Sequence, residues 1–192
     1  LEDGLAPDPD RYLQSMDREV AVLSSLVDVL FLLSRLEEGS IEMKRGPLDV
    51  TELADEAIEV LTPLASSADG RLVLVADQRV VASGGSEAVS RVLRNLLDNA
   101  IRFAPPGSEV TVEVRNEDGA AVRVLDRGPG FDPEFVGHAF ERFSRGDPSR
   151  ERSTGGSGLG LAIARGFIEA LDGSIWAEPG PGGCVGFRLP AG

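Results

Sequence analysis

The sequence predicts an α+β fold: a two-layer α/β sandwich with helices on a mixed sheet, preceded by one long bundle helix. Two features decide the class. Alternating apolar and polar residues mark half-buried strands at 71–77 (RLVLVAD), 109–126 (EVTVEVRNEDGAAVRVLD) and 173–190 (GSIWAEPGPGGCVGFRLP). Between these stretches, apolar residues recur at three- and four-residue steps, as on amphipathic helices. The last two alternating stretches double back sharply, about Asn116-Glu117-Asp118-Gly119 and about a Pro-Gly turn. Such close returns require antiparallel pairing and exclude a parallel doubly wound fold.

Residues 1–10, LEDGLAPDPD, are rich in Asp, Pro and Gly and read as a loop. A long helix follows over residues 11–38. Met16, Val20, Leu23, Val27 and Leu30 step by four and three, the spacing of a bundle seam. Val22, Leu26, Phe31, Leu32 and Leu33 add apolar surface elsewhere around it. That surface must be covered, either by bundle helices outside this chain or by its own globular domain; the helix length favours the bundle. Residues 39–50 form a linker into a short strand, and Asp49 or Thr51 can cap a helix over residues 51–66. Ser86 can cap the next helix, which runs to Pro105-Pro106 and carries one apolar stripe: Val89, Val92, Leu93, Leu96, Leu97, Ala100 and Ile101. A polar, glycine-rich stretch from Gly128 to Gly158 leads to a last helix over residues 159–171. The chain thus divides into residues 1–45, a helical region, and residues 46–192, a globular domain.

Composition narrows the function. A chain of 192 residues, 42% hydrophobic and 27% charged, buries a substantial core and is not disordered. The formal net charge of −13 argues against nucleic acid as a partner. It does not exclude nucleotides, which a local array of backbone amides can hold. One cysteine, Cys184, excludes an internal disulfide and suits a reducing compartment; within a strand it reads as a small buried residue. No apolar run reaches the length of a membrane span, and no signal peptide is recognisable.

Four stretches carry candidate chemistry. In NLLDNAIRF (95–103), Asn95, Asn99 and Arg102 share the face opposite the apolar stripe. A solvated face is the plain reading. Asparagine is a poor helix former, however, and two in register suggest a face that meets something besides water. In DRGPGF (126–131), Asp126 ends a strand where a carboxylate can accept from a ligand amine, while Gly128 and Gly130 allow close backbone approach; common turns share this composition. In GGSGLGLAIA (155–164), Gly155, Gly156, Gly158 and Gly160 open a helix, and its unpaired amides make an anion site. A flexible hinge is the alternative. No Lys-Ser/Thr follows, so it is not a P-loop, and the context is not that of a dinucleotide fingerprint. In FERFSRGD (140–147), Phe140 and Phe143 are spaced to anchor a long loop, for which a lid over a ligand is the natural role.

Taken in order, these stretches resemble the N, G1, F and G2 boxes of sensor histidine kinase catalytic domains, members of the superfamily that includes DNA gyrase and the heat-shock chaperone ATPase. The resemblance covers residues 46–192. The helix at 11–38 also resembles the second helix of that family's dimerisation and phosphoacceptor domain. The resemblance implies a histidine kinase/gyrase-type ATPase fold that binds ATP with Mg²⁺. Asn99 would hold the Mg²⁺, and Asn95 would orient the phosphates or the nucleophile. Arg102 would neutralise phosphate charge and Phe103 would stack near the adenine. Asp126 would accept the adenine amino group in a pocket shaped by Gly128 and Gly130. Gly156, Gly158, Leu159, Gly160 and Leu161 would cradle the phosphates, with residues 132–157 as lid. It further implies phosphotransfer to a histidine and relay to a response regulator. It also implies a homodimer through the bundle, and a cytoplasmic catalytic part in a protein anchored to the cell membrane.

The chain departs from the family in two respects. Its only histidine, His138, lies in the lid stretch without the neighbours of a phosphoacceptor, so the expected acceptor lies outside this chain, just upstream of Leu1 or on another polypeptide. Where the family often has His-Gly-Gly, this chain has Leu171-Asp172-Gly173. Two other functions fit the motifs: a nucleotide-sensing module without catalysis, and an anti-sigma-factor-type serine kinase of the same superfamily.

Overall fold

The computed structural model describes residues 16, 27, 30–36, 38, 43–76, 78–144 and 158–192. The loop expected over 1–10, most of the helix expected over 11–38, Gly155, Gly156 and the later part of the expected lid lie outside the described residues. Residues 30–36 are helical and are called α1. The chain continues through β1 (Gly46–Asp49), α2 (Val50–Ser67), β2 (Arg71–Ala76), β3 (Val81–Gly84), α3 (Ser86–Phe103), β4 (Glu109–Asn116) and β5 (Gly119–Leu125). It ends with α4 (Pro133–Val136), α5 (Gly160–Ala170), β6 (Ser174–Ala177) and β7 (Cys184–Pro190).

Five strands form a sheet in the order β2-β4-β5-β7-β6. Only β2 and β4 run parallel; the other neighbours are antiparallel, so the sheet is mixed as expected. Each strand divides its residues by parity. Val112, Val114, Val122, Val124, Val185, Phe187 and Leu189 turn inward and are buried. They meet the apolar stripes of α2, α3 and α5, which form the second layer. The α3 stripe of Val89, Val92, Leu93, Leu96, Leu97, Ala100 and Ile101 is buried as its spacing predicts.

Helix ends follow local chemistry, with one correction. The Asp49 side chain accepts from the Glu52 amide (3.1 Å) and caps α2. Burial pushes the Asp49 carboxyl up, but the Glu52 amide and the Arg79 guanidinium (2.5 Å) together hold it below its usual value. Ser86 does not cap α3: the cap position is Gly85, without a side-chain bond, and Ser86 is already helical. A short strand at 81–84 also escapes the sequence reading. It pairs with β1 in a separate two-stranded sheet, from Gly46↔Gly84 to Asp49↔Val81.

Helix α1 divides its apolar surface. Leu33 and Leu36 are buried in the domain core, with Leu36 Cδ1 seated 3.1 Å from where a Cβ on Gly166 of α5 would lie. Phe31 is exposed, as is Val27, which precedes α1. The segment after α1 is tied to the same helix. Arg45 donates to the terminal carbonyl of α5 at Ala170 (2.6 Å) and pairs with Asp172.

Candidate functional site

Asp126 follows β5 on the parity of Val122 and Val124, so it turns toward the helical layer. Two loops hold it. Its carboxylate Oδ1 accepts from the amides of Gly128 (2.6 Å) and Gly183 (3.2 Å), and its own amide donates to Gly183 O (2.9 Å). The loops zip further: the amide of Gly182 donates to Gly128 O (3.2 Å), and that of Gly180 to Phe131 O (3.1 Å). Gly130 is obligatory, because its φ of 75° suits glycine and a Cβ there would collide with Gly180 O. A Cβ on Gly128 would lie 2.6 Å from the carbonyl oxygen of Phe103. The turn is therefore pressed against the last residue of α3. Among the described residues no donor reaches Oδ2. Burial raises the Asp126 carboxyl above its usual value and outweighs the two amide bonds that lower it.

The polar face of α3 lies beside this turn. Asn95 Nδ2 donates to Gly160 O (3.4 Å), linking α3 to the start of α5. Asn99 is half-buried and has no hydrogen-bond partner among the described residues. Phe103 is also half-buried, and its backbone adjoins Gly128. The Arg102 guanidinium pairs with Asp98 one turn back (3.0 Å).

Of the glycine motif, Gly158, Leu159, Gly160 and Leu161 are described. Leu159 is buried and stands at the N-cap of α5, where its carbonyl accepts the amide of Ile163 (2.9 Å). The amides before Ile163 have no partner within the helix. Among the described residues, a Cβ on Gly160 would meet nothing within 4 Å. The FERF stretch returns to it, with the amide of Phe143 donating to Gly158 O (3.0 Å). Phe140 packs against the core, but Phe143 does not anchor through its ring, being 54% exposed. Its backbone makes the attachment, at a φ of 61°. His138 is exposed and pairs with Glu141 (2.8 Å), which raises its pKa.

These parts form an unshared carboxylate oxygen, a helix face bearing free amide oxygen and nitrogen, and a helix N-terminus. Together they can bind a molecule with an amino group at one end and anionic groups at the other. A separate cleft of about 470 Å³ lies on the outer face of the sheet, lined by Arg123, Trp176, Glu178 and Arg188 among others. Its charges pair with each other, Arg123 with Glu178 (2.6 Å) and Arg188 with Glu117 (2.9 Å), although Arg123 Nε is left without a partner among the described residues, and none of the candidate residues lines it. Sequence reasoning missed Gly183 and the 180–183 loop as a wall of the Asp126 site. Their only sequence signal is the glycine run GPGGC.

Residues 84–192 match the family described as histidine kinase-, DNA gyrase B- and HSP90-like ATPase. The sensor-like histidine kinase SenX3 of Mycobacterium tuberculosis is 37% identical over 185 residues, 94% of this chain and 45% of that protein. The signal transduction histidine-protein kinase BaeS of Escherichia coli is 30% identical over 98% of this chain and 41% of its own length. The chain thus spans less than half of these relatives. Among solved structures, full-length ShkA in complex with AMPPNP superposes with a TM-score of 0.80 at 26% identity, over 97% of this chain and 40% of that one. The mycobacterial sensor histidine kinase MprB superposes with a TM-score of 0.66 at 31% identity, over 77% of this chain and 97% of that one.

Proposed function

The chain belongs to the histidine kinase-, DNA gyrase B- and HSP90-like ATPase family, and from that premise we propose that it is the ATP-binding catalytic part of a sensor histidine kinase. It passes the γ-phosphate of ATP to a histidine outside this chain, for relay to an aspartate of a response regulator. The observation that carries the reading is Asp126: one carboxylate oxygen fixed by two amides, the other left without a donor, on the helical side of the sheet. Adenine presents its 6-amino donor to such an oxygen, at the position where guanine carries a carbonyl acceptor.

The other residues take roles consistent with that anchor. The open N-terminus of α5 meets the phosphates through its first amides and its dipole. Asn99 supplies a neutral amide oxygen. Among the described residues no group of three His, Cys, Asp or Glu side chains converges as a metal site. That donor set fits Mg²⁺, which keeps several waters and needs few protein ligands besides phosphate. Bound there, the ion would offset phosphate charge. Asn95 orients the phosphate region while bonded to Gly160, and Arg102 offsets phosphate charge with the guanidinium donors that Asp98 does not engage. In the transfer, a ring nitrogen of the acceptor histidine attacks the γ-phosphorus. The bond from that phosphorus to the bridging oxygen breaks, and ADP leaves. Catalysis then rests on positioning and charge neutralisation.

On this reading the full-length protein is a homodimer joined through the bundle, a role that the exposed Val27 and Phe31 support. Its catalytic part is cytoplasmic and its full length is anchored to the membrane. The test supplies radiolabelled ATP and the acceptor helix in trans. Acid-labile, base-stable label on the helix histidine is the expected result. Tight ATP binding without transfer would instead identify a sensing module, and label on serine would identify a serine kinase.

A further inference from the structure

The glycine of the β6–β7 loop that faces Asp126 has a property its neighbours lack. Gly182 has a φ of 82° and Gly180 one of 138°, so the backbone alone accounts for both. Gly183 has no such φ and could accept a side chain without backbone strain. Space is what forbids one. A Cβ on Gly183 would land on Oδ2 of Asp126, 2.7 Å from its Cγ and 3.0 Å from its Oδ1. The three nearest atoms all belong to that one carboxylate. Gly183 also exchanges two hydrogen bonds with Asp126, giving its amide to Oδ1 (3.2 Å) and taking the Asp126 amide at its carbonyl (2.9 Å).

We propose that Gly183 is a positioning residue for base recognition: its amide pins one oxygen of the Asp126 carboxylate, and its missing side chain leaves room for the other to face the adenine amino group. This rests on the reading of Asp126 given above. A side chain at 183 would not have to move backbone; it would have to rotate the carboxylate, which is the cheaper response. The lesion would therefore appear in nucleotide choice before it appears in folding.

The test is Gly183→Ala, alone and combined with Asp126→Ala, in competition titrations of ATP and GTP against a fluorescent nucleotide, with melting curves. The single variant is expected to lose roughly tenfold or more of its ATP affinity, with little change for GTP, as the charged hydrogen bond is misaligned. In the Asp126→Ala background the added methyl has no carboxylate to displace, so affinity should not change and Tm should hold or rise slightly. The pH profile gives a second readout. Loss of the Gly183 amide bond should move the Asp126-dependent fall in ATP affinity to higher pH. Unchanged ATP preference in Gly183→Ala overturns the proposal. So does a second loss on adding Gly183→Ala to Asp126→Ala, which would show that the glycine serves the backbone alone. A wild-type protein that does not prefer ATP would refute the role of Asp126 itself, an outcome distinct from both.

Discussion

Replacing Asp126 by Asn should weaken nucleotide binding and stabilise the empty protein at once. Asn keeps an oxygen for the Gly128 and Gly183 amides, so the turn should survive. Its nitrogen then occupies the place of Oδ2, where it confronts the adenine amino group. A hydrogen bond to a charged acceptor contributes about 1.5–3 kcal/mol, so its loss should weaken ATP by roughly tenfold to hundredfold. GTP presents a carbonyl at that position and should hold or gain. The empty protein moves the other way. Burial keeps the folded carboxyl above the reference value of 3.8, so an ionised Asp126 burdens the native state at neutral pH. The stability contributed by that raised pKa is present below 3.8 and is lost as pH rises through the folded value. Asn does not titrate. The variant should therefore melt above wild type at pH 7, and the difference should shrink as pH falls through the folded pKa and vanish below 3.8. Calorimetry with both nucleotides and melting curves from about pH 3 to 7 read all three effects. An Asn variant that keeps wild-type preference for ATP while folded would refute the placement of adenine at Asp126.

The remaining predictions concern other parts of the site and one cap. Asn99→Ala should weaken ATP binding with magnesium present and leave magnesium-free binding nearly unchanged; calorimetry under both conditions decides, and equal losses would remove the metal role. Gly160→Ala places a methyl in open space at the start of α5; the empty protein should gain up to about 1 kcal/mol from helix propensity, while affinity for the triphosphate falls. A gain in both would show that no phosphate comes close to Gly160. Asp49→Ala should cost about 1 kcal/mol through the lost cap. Because the folded pKa of Asp49 is depressed below 3.8, its ionised form's contribution is present above that value and is lost as pH falls through the folded pKa, so chemical denaturation at pH 7 and pH 2 should show the penalty shrinking. His138→Gln should leave phosphotransfer to the acceptor helix intact, and loss of all labelling in that variant would overturn the exposed His138–Glu141 pair as a surface feature.

What the sequence reveals here depends on how local each signal is. The α3 stripe and the β4–β5 hairpin are written in consecutive residues, so periodicity and turn chemistry suffice to read them. Asp49 as a cap is equally local. Strand β3 is only VASG, too short to alternate, and it exists because β1 lies beside it more than thirty residues earlier in the chain. The Asp98–Arg102 pair is legible as an i,i+4 pair and is compatible with a phosphate role for Arg102. Phe143 is a different case. An aromatic residue in an anchoring motif suggests a buried ring, whereas the attachment is its amide on Gly158 and the ring stays exposed.

Gly183 is the least legible residue because its role belongs to the register of two distant strands. In that register Leu125 stands opposite Cys184, and one step further along the two chains Asp126 and Gly183 come face to face. The same sheet order that sets β5 beside β7 brings the 126–131 turn against the 180–183 loop. Gly128 is in turn pressed against the end of α3, and Asn95 ties α3 to the first residue of α5. Four segments thus converge through one strand pairing, one close backbone approach and one side-chain bond to backbone. A slip of one residue in that pairing would exchange the inward and outward sides of β7. It would bury Arg188 in place of Phe187 and Leu189, and it would take Gly183 away from Asp126 in the same step. The core and the candidate site therefore select the same register, and a variant that weakens the Phe187 packing should loosen the Asp126 carboxylate even though the two side chains do not touch.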